Sequence, residues 1–433
     1  MGKKTVRERI EGRELKLLCI FTLALLPFIS IVGMAEQHKT LREVVGGLWV
    51  IVTSRDTLIT DYFELVGYGA SFLNALLMML LEYYLLCREK MKFTGLTMAA
   101  FFINTGYAFW GKNPVNILPI LLGSWLYARW HKAQLSRYIY TALFGTCLSP
   151  LITELVFMLP FRWGINLLIA VATGILIGFL LPSLSMHTAS MHMGYNLFNV
   201  GFSAGTLAFV MVCILKAFGI ESESVMIWKA SSPLWIVIGL YLYFTLVFLY
   251  GLYLERGDVR NVMKIWRHPG RAVTDFVLME GVGSTLMNMA LTGFVCTAYI
   301  CLVGGDFSGP VVGAILSAFG FAAFGAHIRN YVPVLAGVFL STLLTRFEAT
   351  TPGMQLAAIF AVGLSPIAGQ FGPIAGILAG MLHAAIVMCT AQMYGGLNLY
   401  NNGFSAGWVA IIMVPALESF IRDAKNRKKQ KKH

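Results

Sequence analysis

Apolar residues run along this chain in blocks of about 20, the length a helix needs to cross a hydrocarbon core, separated by short polar stretches. The longest blocks are 17–32, 69–86, 165–181, 234–254 and 356–387. Read with the shorter blocks, the pattern predicts membrane segments at 14–34, 65–87, 94–111, 114–130, 138–160, 164–183, 194–216, 232–255, 275–303, 308–326, 330–346, 354–370, 371–390 and 403–421. The expected fold is an all-α integral membrane protein with about 14 membrane segments, some short enough to be re-entrant. Residues 37–62 are apolar at Val44–Val52 but interrupted by charges, and are expected on the membrane surface or partly inside it.

Composition agrees with the pattern. Of 433 residues, 57% are hydrophobic and 12% charged, against about a quarter charged in soluble domains. The net charge of +12 would suit nucleic acid if it were clustered on one surface. It sits instead in short loops and at the termini, which points away from nucleic acid. With the N-terminus inside, the loops at 1–16, 88–92, 129–137 and 256–271, the loop at Arg329 and the 422–433 tail hold most of the 33 basic residues, as the positive-inside rule requires. Both termini are then cytoplasmic in a cell membrane, and the basic tail is expected to meet anionic lipid. Basic residues precede the first apolar block and no small-residue cleavage motif follows it, so it reads as a retained helix. The seven cysteines are scattered with no CxxC pair, and no metal site is expected from them.

A repeat organises the chain. A shift of 214 places Gly69 on Gly283, Asn74 on Asn288, Gly111 on Gly325, Asn116 on Asn330 and Gly123 on Gly337. A shift of 216 brings Leu148-Ser149-Pro150 onto Leu364-Ser365-Pro366, and a shift of 202 brings Asn196–Gly205 onto Asn398–Gly407. The last two stretches differ only at Phe198/Tyr400 and Val200/Asn402. The expected organisation is a basic segment, first helix and surface segment (1–60), a first six-segment repeat (61–217), a linking helix and basic loop (218–272), a second repeat (273–421) and the basic tail (422–433). One helix between the repeats makes an odd number of crossings, so the second repeat should be inverted. Inverted repeats are typical of transporters, whose sites form at the midplane from broken helices.

The repeated motif supplies the first candidate substrate site: Asn196, Asn199, Gly201 and Ser203 with Asn398, Asn401, Gly403 and Ser405. Closely spaced glycines weaken a helix and let backbone approach a ligand, while asparagine amides both donate and accept. The competing reading is close helix packing, with asparagines joining neighbours. The same stretch matches GxSxG, but the hydrolase elbow needs a strand–turn–helix setting and a triad that neither copy has. The second candidate set is Ser149, Ser365, Glu154 and Gln370, where a proline frees backbone carbonyls and a carboxylate inside a membrane is a functional candidate; the alternative places Glu154 at the outer interface. Asn74 and Asn288 complete the site list. Glu82 and Glu418 are expected near inner ends, reaching out to the interface. His187 and His192 are five apart, wrong for one helix face. His383 reads as a satisfied core histidine. Gly174, Gly178, Gly372, Gly376 and Gly380 read as packing faces.

The NxxNxGFSAG ending, with its upstream Ser-Pro and Gly-rich segments, resembles an uncharacterised family of bacterial multi-pass membrane proteins, one of the domain-of-unknown-function families. The resemblance extends over nearly the whole chain. It implies a bacterial cytoplasmic membrane protein and no particular substrate.

Together these features lead to a transporter of a small polar solute, secondary active by alternating access, with no catalytic residue and no cofactor beyond a coupling ion, Na⁺ or H⁺. The polar but mostly uncharged candidates favour a neutral solute, or Na⁺ held by carbonyl and amide oxygens. No Walker motif is present, so no ATPase of its own is expected. A passive channel is the alternative. A membrane-embedded enzyme would need clustered Asp, His and Glu near one interface, which the sequence does not offer. A homo-oligomer is compatible with all three.

Overall fold

The structure is a computed structural model that describes residues 2–56, 59–221, 225–394, 396–399 and 401–430. The chain begins with α1 (Gly2–Glu36) and α2 (Leu41–Thr53), then a single turn α3 (Tyr62–Leu65). There follow α4 (Tyr68–Arg88), α5 (Gly95–Tyr107), α6 (Leu118–Trp130), α7 (Ile139–Gly145), α8 (Ser149–Met158), α9 (Trp163–Met191) and α10 (Asn199–Ala217). The helix α11 (Leu234–Leu254) and the short α12 (Val262–Ile265) and α13 (Phe276–Glu280) lead to α14 (Val282–Val303), α15 (Gly309–Phe321) and α16 (Ile328–Leu344). The chain then forms α17 (Pro352–Phe360), α18 (Ser365–Phe371), α19 (Pro373–Met393) and α20 (Asn401–Gln430). Ten helical stretches among the described residues are long and apolar enough to cross a membrane, and Gly309–Phe321 and Ile328–Leu344 are shorter apolar helices. The molecule is a multi-pass, helical membrane protein.

Several expected segments are shorter or broken. At 13 residues each, α5, α6 and α15 rise about 20 Å, less than the ~30 Å of a hydrocarbon core. The stretch expected as one segment at 138–160 is α7 and α8 joined by a 3₁₀ turn at Thr146–Leu148, and 354–370 is α17 and α18 joined by Ala361–Leu364. Pro150 and Pro366 each sit in the first turn of the second piece, where a missing N–H is harmless. The 37–62 region contains α2, which has a Thr40–Glu43 capping box and packs Val44, Gly47 and Ile51 inward. The basic tail continues α20 as far as Gln430; residues 431–433 lie outside the described part.

The same contacts recur at the sequence offsets. Asn74 Nδ2 donates to the carbonyls of Ala108 and Lys112 at 2.7 and 2.8 Å; Asn288 Nδ2 donates to those of Ala322 and Ala326 at 2.8 and 2.9 Å. Both asparagines tie a long helix to the end of a short one. Asn116 and Asn330 each donate to a positive-φ glycine, Gly111 and Gly325, at 3.1 and 3.0 Å. Gly178 lies against the Ile120 backbone and Gly380 against that of Val334, so these small residues do pack helices closely, but Gly372, expected on the same face, is instead the positive-φ cap of α18 with open space around it.

The centre is the antiparallel pair α5 and α15, almost every residue of which is buried. Gly106 and Gly313 meet backbone to backbone, and a Cβ on either would overlap the other's carbonyl. Each helix start is capped from the other half. Asp275 Oδ1 accepts from Gly95 N–H at 3.0 Å, and Asp61 Oδ1 accepts from Gly309 N–H at 3.1 Å. First-turn N–H groups have no partner inside their own helix, and a carboxylate there is also favoured by the helix dipole.

Candidate functional site

The repeated motif lies where a long helix stops and another starts. After α9 the chain turns through Met193 and Gly194, both at positive φ, and α10 begins at Asn199. The short connection is held in place by backbone bonds: Leu197 N–H donates to Gly363 O at 2.9 Å, and Ala272 N–H donates to Gly194 O at 2.9 Å. At the equivalent place, Leu399 N–H donates to Cys147 O at 3.1 Å.

Asn196 is fully buried and structural in its bonding. Its Oδ1 accepts from Phe198 N–H at 2.9 Å and its Nδ2 donates to Gly403 O at 2.9 Å, joining the two copies of the motif. Ser203 Oγ shares a hydrogen bond with Thr188 Oγ1 at 2.7 Å and Ser405 Oγ with Thr390 Oγ1 at 3.0 Å. These serines hold α10 to α9 and α20 to α19. Phe202 and Phe404 stack with centroids 5.7 Å apart, each ring against the other copy's glycine, Gly407 and Gly205. Gly201, Gly403 and Asn398 are buried in the same junction.

Asn199 is placed differently. A cavity of about 470 Å³ opens beside the start of α10, and Asn199, Val200 and Gly201 line it together with Tyr140, Thr141, His192 and Arg271. Apolar walls are supplied by Leu96, Phe144, Leu197, Phe198, Phe321 and Phe324. Phe198 meets Phe321 edge-on at 4.6 Å. Arg271 is exposed at the rim, where its guanidinium lies 4.7 Å from the Tyr195 ring and its Nε donates to Met193 O at 2.6 Å. Asn199 Nδ2 donates to Ser185 O at 3.0 Å, which fixes Oδ1 as the acceptor facing Thr188 and His192. His192 Nε2 therefore donates to Asn199 Oδ1 at 2.9 Å. In the neutral ring this leaves Nδ1 as an acceptor, and it has no hydrogen-bond partner among the described residues.

The cavity can thus offer two kinds of group. The first-turn N–H groups of α10 and the Arg271 guanidinium donate, and aromatic walls enclose the rest; His192 Nδ1 is itself buried. At the equivalent start of α20 the residue matching His192 is Tyr394, buried with its ring 5.4 Å from Phe404. Asn401 is half-buried there, and its neighbour Asn402 bonds to His383 at 3.1 Å.

The second set of expected residues is not gathered at this cavity. Ser149 Oγ donates to Gly111 O at 2.9 Å and Ser365 Oγ to Val362 O at 2.8 Å. Glu154 is fully buried but gripped by Arg55, whose Nη2 and Nε lie 2.8 and 3.2 Å from Oε2. Gln370, its counterpart, is exposed. Asn74 and Asn288 hold helix ends. Glu82, expected to reach the interface, is instead 3% exposed inside the bundle. The sequence reading missed Arg271 and His192 as cavity residues, Arg55 as the partner of Glu154, and the buried Lys112. Among the described residues no group of three or more His, Cys, Asp and Glu side chains could hold a metal ion.

No curated protein and no solved structure matches this chain. A family model described as "Protein of unknown function (DUF1576)" matches residues 40–217 and 254–419, most of the chain on both sides of α11. By that match the chain belongs to the DUF1576 family.

Proposed function

We propose that this protein is a secondary-active transporter of a small polar solute in the cell membrane, working by alternating access between two inverted repeats. In this reading the short helices α5, α6, α15 and α16 complete about 14 membrane segments, some re-entrant, and both termini are cytoplasmic. The observation that carries the proposal is the cavity at the break between α9 and α10, where His192 stands at the position that buried Tyr394, packed on Phe404, takes at the break between α19 and α20. Two equivalent helix breaks with different surroundings suit one end state of an alternating device. The reciprocal capping of α5 and α15 by Asp275 and Asp61 supports an inverted relation, because each half contributes the same residue at opposite ends of an antiparallel pair.

The donor and acceptor set refines the solute. Backbone N–H groups and Arg271 suit an acceptor or negative end, and the aromatic walls suit a compact apolar body.

Cysteine labelling in sealed vesicles tests the proposal, in a chain whose native cysteines are replaced. Val200→Cys should react with an impermeant thiol reagent from the Arg271 side only. Its equivalent, Asn402→Cys, should react from the opposite side only, and conditions that raise one rate should lower the other. Simultaneous reaction at both sites, each from its own side, would identify a passive channel. Rates that vary independently would end the alternating-access reading.

A further inference from the structure

The two halves share their scaffold but differ in one buried cluster. Inside the first half, Lys112 is 0% and Glu82 3% exposed. Lys112 Nζ donates to Asn104 Oδ1 at 2.5 Å and to Thr146 Oγ1 at 2.7 Å. Asn104 Nδ2 in turn lies 3.4 Å from Glu82 Oε1. Glu82 Oε2 is buried and has no hydrogen-bond partner among the described residues. The equivalent positions in the second half are Cys296, Ala318, Ala326 and Val362, all fully buried. The scaffold therefore packs well without any of the four polar groups, and something other than packing accounts for them. A buried ion pair seldom adds stability over apolar residues of similar size, and an ionisable group at membrane depth is a functional candidate by default.

The cluster sits next to the cavity. Tyr140, a cavity residue, shares a hydrogen bond with Thr97 Oγ1 at 2.6 Å. Thr97 and Asn104 are seven apart on α5, hence on one helix face, and Tyr140 is within electrostatic reach of Glu82. The other groups facing the pair are the Cys147 thiol and the Tyr107 ring, 4.9 Å from Lys112 Nζ, and the Cys19 thiol towards Glu82. None supplies a fixed negative charge to Lys112, so Glu82 alone balances it.

We propose that Glu82 and Lys112 form the proton-binding centre through which a proton gradient drives the transport cycle. This rests on the transporter reading above. A proton entering from the cavity adds to Glu82 Oε2 and converts the neutral carboxylate–ammonium pair into a centre of net charge +1. Releasing that proton restores the pair. A fixed ammonium at the centre disfavours Na⁺, which leaves H⁺ as the coupling ion.

The test uses the full chain and two measurements. Infrared difference spectra between acidic and alkaline buffer need no solute; wild type should show a protonated-carboxyl band that Glu82→Gln removes. Val200→Cys labelling in sealed vesicles should swing about tenfold or more with pH, a bias of the two-state equilibrium by proton binding. Replacing the cluster with small apolar residues as in the second half (Glu82→Ala in place of its cysteine, so that no second thiol is present, with Asn104→Ala, Lys112→Ala and Thr146→Val) should flatten that swing. If this fourfold variant does not fold, Glu82→Gln and Lys112→Met should each flatten it. A band that survives Glu82→Gln overturns the proposal. So does a swing that persists in the variants, in which case alternating access stands and the proton binds elsewhere. Labelling that stays one-sided and pH-independent in wild type, with the band behaving as expected, overturns the coupling role together with the transport reading.

Discussion

The start of α10 and the start of α20 carry nearly the same ten residues and do different things. Each begins after a glycine-containing turn, is tied to the preceding helix by a Thr–Ser hydroxyl pair, and presents a phenylalanine to the other copy's glycine. Outside the motif they diverge. One position beyond the C-terminal end of α9, His192 holds Asn199 and lines open space, whereas Tyr394 at the same place packs on Phe404. Near-identity in the motif builds the joint, and the residues flanking it set what each joint borders.

That comparison makes separable predictions. Scaffold residues should matter equally in both halves. Asp61→Ala strips acceptors from Phe63, Gly309 and Lys229 N–H groups, and Asp275→Ala strips them from Gly95 and Val277. Each should cost about 2–4 kcal/mol, since buried donors are left unpaired, read as matched drops in thermal midpoint in detergent. A large inequality between the two would break the equivalence. Next in size, Tyr394→His should cost about 2 kcal/mol by exchanging a buried phenol for a smaller, more polar ring. It should also raise the reactivity of Asn402→Cys by loosening the packing on Phe404. The reverse exchange, His192→Tyr, should cost about 1–2 kcal/mol by overfilling a buried position and losing the Asn199 hydrogen bond while slowing Val200→Cys labelling about tenfold, a difference of ~1.4 kcal/mol in accessibility. Smallest of all, Thr188→Val and Thr390→Val should each cost about 1 kcal/mol, one hydrogen bond apiece, and the two midpoints should shift together.

Much of the frame was legible in the sequence. Apolar run length found the long helices, because a bilayer sets that length, and the shifts of 214 and 202 found pairs whose hydrogen bonds match, as with Asn74 and Asn288. The motif marked the junction of α9 and α10, where Asn199 lines the cavity, although Asn196 and Ser203 hold the joint rather than face the cavity. Depth was the illegible quantity. Lys112 falls between two apolar segments and reads as a loop lysine. Only the shortness of α5, a 13-residue helix that stops inside the bundle, puts it in the interior. Glu82 lies six positions before Arg88 and so resembled an interfacial carboxylate, but Asn104 claims it from a neighbouring helix. Arg55 is 99 positions from Glu154 and outside every expected segment. One signal was available and unused: aligning the halves sets Lys112 against Ala326 and Glu82 against Cys296, marking charges that one copy needs and the other does without.

The exchanged aspartate caps have a further implication. Each half carries an aspartate that accepts from the first N–H of its counterpart's central short helix, in addition to the Ser308 cap that α15 has from its own side. A polypeptide holding a single half would leave that first N–H without its aspartate, and two such polypeptides lying head to tail would mend each other. In the inverted-repeat reading proposed above, the arrangement would be that of an antiparallel homodimer whose subunits have become covalently joined through α11. Cutting the gene within the 256–271 loop and co-producing both pieces should therefore restore an assembled protein, while either piece produced alone should be degraded.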